Sequence, residues 1–188
     1  MSATIVFDLD DTLVKEIDYL KSAFKAIACK VDSANDSLFN QMLLWYQNKE
    51  NVFQNIETLY GVSVTDLRQL YRSHYPSFSN KPAVVAFLKS LKEKGFFLGL
   101  ITDGYSQTQR NKIKALGIEE LLDLIVISEE FGSEKPNENN YKVFHQFATK
   151  NYYYIGDNTA KDFLAPNRLG WISVCLLNNI PSLLSPTY

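Results

Sequence analysis

Two aspartates separated by one residue, Asp8 and Asp10, follow a short apolar segment that begins at Ile5. The segment predicts a buried strand, and in an open α/β sheet ligands bind at the carboxyl ends of the strands. The two carboxylates would share one face if the extended geometry continues past Phe7, and they would then repel each other. The pair therefore indicates a site for a hard divalent cation such as Mg²⁺, with a solvated turn as the simpler alternative.

Three later segments carry polar residues in a similar way, two of them directly after an apolar run. In chain order they are Leu100-Ile101-Thr102-Asp103-Gly104, Ser133-Glu134-Lys135-Pro136 and Ile155-Gly156-Asp157-Asn158-Thr159-Ala160-Lys161-Asp162. Each segment is too short to mean much alone. Together with the aspartate pair they bring opposing charges toward one sheet edge, and such charges gather at functional sites.

These segments, with Phe7-Asp8-Leu9-Asp10-Asp11-Thr12-Leu13 as the first, resemble the four motifs of the haloacid dehalogenase-like (HAD) superfamily of phosphohydrolases. The resemblance covers nearly the whole chain, but over residues 16–80 it is one of position and helical character only. It implies a Rossmann-like α/β core of residues 1–15 and 81–188. A helical insertion between the first and second motifs, residues 16–80, is similar to the superfamily's first, or C1, type of cap.

The resemblance also implies a role for each matching residue. Asp8 corresponds to a nucleophile that forms an aspartyl-phosphate, and Asp10 to the acid/base that protonates the leaving oxygen and then activates water. Thr102 would donate a hydrogen bond to a phosphoryl oxygen, and the backbone N–H groups of Asp103 and Gly104 would complete the phosphate cradle. Lys135 would neutralise charge on both the Asp8 carboxylate and the phosphoryl group.

The metal that the resemblance implies is Mg²⁺. Its ligands would be a carboxylate oxygen of Asp8, the backbone carbonyl of Asp10 and the carboxylate of Asp157, together with waters and a substrate oxygen. Asp162 would not bind the metal directly but would support the site through a water or by holding Lys135. The alternative is that Asp162 only stabilises a helix, because the helix dipole favours an acid in the first turn. Asp103 departs from the Asn that is common at its position, and its carboxylate can turn away from the phosphate.

Hydrophobic periodicity predicts helices throughout the insertion, with apolar faces that begin at Ile17, Leu38 and Val52. The segment Ser63-Val-Thr-Asp66 is typical of a capping box that opens a fourth helix. Cationic residues of this region are candidates for contact with a second anionic group of a substrate, although such residues are more often solvated. They are Lys15, Lys21, Arg68, Arg72 and His74.

Strands alternate with helices after a helix that starts near Pro82 and ends at Gly95, which is typical of a parallel sheet with crossover helices. The predicted strands are residues 4–7, 96–101, 124–127, 152–155 and 172–176. The predicted helices are residues 108–116, 139–149 and 161–169, the last interrupted or bent by Pro166. The resemblance implies the strand order 5-4-1-2-3, and residues 178–188 would form an irregular surface strap.

Composition limits the classes of partner. The 188 residues are 46% hydrophobic and carry a net charge of −2, which provides a core but no basic face for nucleic acid or an anionic membrane. No apolar run approaches the roughly 20 residues that span a bilayer, and no secretory signal is visible. We expect a soluble, cytoplasmic monomer or homodimer. Cys29 and Cys175 lack any metal-binding grouping and are expected to be buried, reduced thiols.

The sequence therefore predicts a Mg²⁺-dependent phosphatase that hydrolyses a small phosphorylated metabolite, such as a sugar phosphate or a nucleotide, through an aspartyl-phosphate. Asp10 favours this activity, because family members that act on carbon–halogen or carbon–phosphorus bonds lack an acid there. A phosphomutase similar to β-phosphoglucomutase is the nearest alternative. A phosphorylation switch is disfavoured by the helical insertion, and a catalytically silent binding protein is disfavoured because no matched position is missing.

Overall fold

The computed structural model of the protein describes residues 3–33 and 37–177. Five parallel strands form one sheet: β1 (Ala3–Phe7), β2 (Phe97–Thr102), β3 (Leu124–Ile127), β4 (Asn151–Gly156) and β5 (Ile172–Cys175). The order β3-β2-β1-β4-β5 confirms the expected topology. The strap expected over residues 178–188 lies outside the described residues.

The central strand β1 is buried along its whole length, as its apolar sequence requires in a parallel sheet covered on both faces. Phe7 lies opposite Leu100 on one side and Ile155 on the other. The Asp8 N–H continues the ladder by donating to the Ile155 carbonyl over 2.8 Å. This register brings the residues that end or follow β1, β2 and β4 to the same edge of the sheet.

The helical block consists of α1 (Glu16–Val31), α2 (Ser37–Gln47), α3 (Val52–Tyr60) and α4 (Val64–Ser73), as the periodicity predicts. It has its own apolar core, which includes Phe24, Met42 and Ile56. The Ser63 hydroxyl accepts the Asp66 N–H over 3.1 Å and so caps α4. The division into a core of residues 1–15 and 81–188 and a cap of residues 16–80 stays a prediction.

The remaining helices are α5 (Lys81–Glu93), α6 (Ser106–Leu116), α7 (Ser128–Phe131), α8 (Asn139–Lys142) and α9 (Leu164–Arg168). The prediction of a helix over residues 139–149 holds only in part. After α8 the chain continues as a 3₁₀ helix over Val143–Phe147, which ends at Ala148 with a φ of 48°. Phe144 packs onto Gly99 of β2, where an added Cβ would overlap its ring. Such tertiary packing competes with the local helical pattern.

The helix predicted over residues 161–169 begins only at Leu164, because Asp162 belongs to a turn. Pro166 does not interrupt this helix. It lies in the first turn, where a backbone N–H has no partner within the helix.

Both cysteines are free, in agreement with the prediction of reduced thiols, but the prediction that they are buried is wrong. Cys29 lies on an exposed face of α1, and Cys175 ends the edge strand β5. Among the described residues, no helix combines the length and the apolarity needed to cross a membrane.

Candidate active site

Lys135 joins two buried carboxylates at the carboxyl edge of the sheet. Its Nζ lies 2.6 Å from Asp8 Oδ1 and 2.7 Å from Asp162 Oδ1. The three side chains are between 0% and 7% exposed, so each charge depends on the others for compensation. The Tyr154 hydroxyl lies 3.3 Å from the same ammonium and closes the cluster from β4.

The protonation equilibria of this cluster reflect burial and crowded charge. Burial raises the pKa of Asp8 to about 7 against the opposing effect of Lys135, and the negative charges of Asp162 and Asp10 raise it further. Burial alone would lower the pKa of Lys135, but the Asp8 and Asp162 carboxylates outweigh it and raise the pKa above its usual value. Burial, followed by Asp162, also raises the pKa of Asp157. A cation would relieve this excess of negative charge.

A carboxylate cluster of the kind that binds a divalent cation is present here. Ligand oxygens of Asp8, Asp157 and Asp162 lie within 4.8 Å of one another. Asp162 is already engaged, because its second oxygen accepts the N–H groups of Asp157 at 3.2 Å and Asn158 at 3.0 Å. Gly156 permits this arrangement, since an added Cβ would overlap the Asp162 carboxylate. Asp8 and Asp157 thus fit direct oxygen ligation, and Asp162 fits a supporting position.

A cavity of about 170 Å³, called here the acidic cavity, lies beside this carboxylate cluster. The residues at the end of β2 also border it. Its lining combines Asp8, Asp10, Asp11, Glu16, Thr102, Asp103, Lys135, Asp157, Asn158 and Lys161. The structure therefore brings together at one cavity the residues that the four motifs predict, except Gly104 and the fully buried Asp162. Asp11 accepts the Glu16 N–H over 3.1 Å and adopts a φ of 54°, as a turn residue that caps a helix does.

Two sets of contacts involve the residues of the expected phosphate cradle. The Asp103 carboxylate turns toward the third and fourth motifs, where it accepts the Lys135 N–H over 3.0 Å and the Lys161 ammonium over 2.9 Å. The Gly104 N–H donates to the Ser128 hydroxyl over 2.9 Å. A phosphoryl oxygen would have to compete with this hydroxyl for the Gly104 donor.

Sequence reasoning missed two residues of α6 that hold Asp10. Lys112 Nζ lies 2.7 and 2.8 Å from the two Asp10 carboxylate oxygens, and its side chain is only 4% exposed. The Gln109 amide donates to Asp10 Oδ2 over 3.0 Å and also lies within hydrogen-bonding distance of the Thr102 hydroxyl. The available signal was their spacing of three residues, which places two polar side chains on one face of a helix that follows the second motif.

A second cavity of about 290 Å³ lies between the helical block and α6, and is called here the aromatic cavity. Asp10 borders both cavities. The aromatic cavity is further lined by Glu16, Tyr19, Phe53, Arg68, Tyr71, Arg72, Asp103, Gly104, Tyr105, Thr108, Gln109 and Lys112. A group bound beside Asp10 can therefore extend from the acidic cavity toward the helical block.

A family model described as haloacid dehalogenase-like hydrolase matches residues 5–175. The chain belongs to this family. This HAD hydrolase is 28% identical over 203 residues to glyceraldehyde 3-phosphate phosphatase from Methanopyrus kandleri. The alignment covers 93% of this chain and 83% of that protein. It is also 24% identical over 139 residues to pyrophosphatase PpaX from Bacillus pumilus, in an alignment that covers 71% of this chain and 63% of that protein.

Solved structures agree on the fold of the HAD hydrolase. The magnesium-bound HAD-hydrolase YfnB from Bacillus subtilis superposes with a TM-score of 0.64 over 96% of this chain and 90% of that chain. The sequence identity in this superposition is 16%, so the comparison shows the fold alone. It confirms the Rossmann-like sheet with flanking helices.

Proposed function

We propose that this HAD hydrolase is a Mg²⁺-dependent phosphatase acting on a small phosphorylated metabolite. The observation that carries the proposal is the convergence of Asp8, Thr102, Lys135 and Asp157 on the acidic cavity. A carboxylate nucleophile beside a buried ammonium and a cation site is suited to phosphoryl transfer, because charge neutralisation and positioning supply most of the catalysis. Two relatives that carry the names of phosphatases of small substrates support the same activity.

In the first step of the proposed reaction, an oxygen of Asp8 attacks phosphorus and the bond to the ester oxygen breaks. The leaving oxygen takes a proton from Asp10, which lies where the two cavities meet. The Lys135 ammonium and the Thr102 hydroxyl stabilise charge on the phosphoryl oxygens. The product of this step is an aspartyl-phosphate on Asp8 together with the free alcohol.

In the second step, Asp10 removes a proton from a water that attacks the same phosphorus. The acyl-phosphate bond breaks, inorganic phosphate leaves and the Asp8 carboxylate is restored. Asp8, Asp157 and the backbone carbonyl of Asp10 would hold Mg²⁺, which when bound screens the charges of the nucleophile and the phosphoryl group. Asp162 is proposed to fix Lys135 and the backbone turn after Gly156, in keeping with its contacts.

The helical block is proposed to act as the cap that surrounds the leaving group, with residues 16–80 as the cap and the remainder as the catalytic core. The helical block has its own apolar core, which supports its assignment as a unit distinct from the catalytic core. The aromatic cavity at its boundary with α6 supports a role in enclosing the substrate.

The proposed function is tested by measuring phosphate release from a panel of phosphorylated compounds in the presence of Mg²⁺. The panel contains triose and hexose phosphates, nucleotides, pyrophosphate and 4-nitrophenyl phosphate. We expect a kcat/KM of about 10⁴ M⁻¹ s⁻¹ or more for at least one metabolite. Isomerisation of a sugar phosphate without phosphate release would instead identify a phosphomutase. Absence of both reactions across the panel would contradict catalysis by this site.

Lys112 is expected to position the Asp10 carboxylate in this reaction. Replacement by methionine keeps the apolar stem and removes the ammonium that binds both oxygens, so Asp10 loses its fixed orientation. We expect Lys112→Met to lower kcat by about 10- to 100-fold, because small misplacements of a catalytic group have effects of this size. KM should change much less, and Lys112→Arg should restore part of kcat. Equal losses in the methionine and arginine variants would contradict a positioning role.

A further inference from the structure

Two arginines of the helical block face the aromatic cavity. Arg68 and Arg72 lie four residues apart on α4, so their side chains occupy the same face of that helix. Both line the cavity that Asp10 borders from the other side. Like charges at this spacing destabilise a helix, so the arrangement is unfavourable unless an anion lies between or beside them.

Arg72 is held in an orientation that leaves its hydrogen-bond donors available. Its guanidinium carbon lies 3.5 Å from the centroid of the Tyr105 ring, in a cation–π contact. Stacking uses the flat face of the group, whereas the N–H donors point outward in its plane, where they can bind a carboxylate or phosphate with two parallel hydrogen bonds. The ion pairs found within residues 3–33 and 37–177 involve neither Arg68 nor Arg72.

Two of the acids that line the aromatic cavity have other partners. Asp10 is paired with Lys112, and Asp103 with Lys161 at 2.9 Å. The third acid, Glu16, also borders the acidic cavity, and burial followed by the negative charge of Asp10 raises the pKa of its carboxyl group. The described lining of the aromatic cavity therefore combines two arginines that form no ion pair with two acids that are already paired.

We propose that the aromatic cavity binds a leaving group that carries a second oxyanion, a carboxylate or a phosphate, held by Arg68 and Arg72. This inference rests on the proposed function, because it takes the Asp10 end of the cavity as the place where the ester oxygen leaves. Tyr19, Phe53 and Tyr71 form apolar walls for the short carbon segment between the two anionic groups. The substrate class is thus a phosphate ester or anhydride with two anionic ends.

Matched substrate pairs test the proposal. 3-Phosphoglycerate and glycerol 3-phosphate differ only in a carboxylate against a hydroxymethyl group. 1,3-Propanediol bisphosphate and 3-hydroxypropyl phosphate provide the equivalent comparison for a phosphate, so the two pairs distinguish the sources of the oxyanion. The ratio of kcat/KM values within each pair is measured for the wild type, for the double variant Arg68→Gln, Arg72→Gln, and for Lys25→Gln. Lys25 is an exposed cation on α1 that lines neither cavity, so its variant controls for the loss of a positive charge elsewhere on the helical block.

We expect the wild type to prefer the member with a second anionic group in at least one pair. The double variant should lower that preference by about tenfold or more, as loss of charge-assisted hydrogen bonds does. The Lys25→Gln ratio should equal that of the wild type. An Arg72→Lys variant should recover only part of the preference, since it keeps the charge and loses the planar donors.

An unchanged ratio in the double variant would overturn the anion site even if the protein hydrolyses both substrates. If the wild type hydrolyses no phosphate ester, the proposed function fails, and the ratio of dissociation constants for the same pairs, measured by calorimetry, then decides the anion site. Equal affinity for the members with and without the second anionic group in that measurement would also overturn it.

Discussion

Replacement of Asp8 by Asn should abolish turnover of every phosphate ester that the wild type hydrolyses. The amide has nearly the shape of the carboxylate, and its oxygen can still accept from Lys135, which lies 2.6 Å away. It is not a nucleophile, however, and it cannot form the aspartyl-phosphate. We expect kcat to fall by about 10⁴-fold or more, as removal of a nucleophile does in enzymes with covalent intermediates. Steady-state phosphate release measures the effect.

Two further variants show whether the loss of turnover is specific to the Asp8 carboxylate. Asp10→Asn should lower kcat by about 10²- to 10⁴-fold, the usual contribution of acid/base catalysis, and should accumulate phospho-enzyme with an activated substrate. Asp18→Asn, at an exposed acid of α1 outside both cavities, should leave kcat unchanged. Near-normal rates for Asp8→Asn would show that the covalent mechanism is wrong.

Removal of divalent metal should also abolish turnover, and addition of Mg²⁺ should restore it. Burial raises the pKa values of Asp8 and Asp157, and Asp162 raises both further, so the cluster holds its negative charges at a cost that a bound cation offsets. Ca²⁺ should be a poor replacement, because its looser coordination misplaces the nucleophile. Phosphate release after exhaustive chelation, with and without added metal, is the measurement.

Metal binding can be followed independently of catalysis. Because a ligand that binds the folded state raises its stability, Mg²⁺ should raise the midpoint of thermal unfolding. Asp157→Asn should reduce this rise, while Asp18→Asn should keep it. Full hydrolytic activity in protein shown to be free of metal would contradict the proposed site.

The placement of the four motifs could be predicted from the sequence because it depends on local signals. Apolar runs mark β1, β2 and β4, and the polar residues at the ends of parallel strands must reach the same sheet edge. Helical periodicity likewise predicted α1–α4 and the cap of α4 at Ser63. These features need no knowledge of which side chains meet across the fold.

The contacts that complete the site depended on the tertiary structure. Lys112 and Gln109 reach Asp10 across 102 and 99 residues of sequence, and Arg72 stacks on Tyr105 from a different part of the fold. Periodicity reports only which face of a helix is buried, so it cannot say that a buried lysine meets a particular carboxylate.

The same limit applies to the difference over residues 139–149 and to the error on Cys175. Phe144 of the 3₁₀ segment packs against Gly99, which is distant in the chain, and Cys175 ends β5 at the edge of the sheet. Sequence alone therefore determined the fold, the family and the residues at the strand ends. The tertiary structure decided how α6 holds Asp10 and which cations face the aromatic cavity, because both depend on distances between residues far apart in the chain.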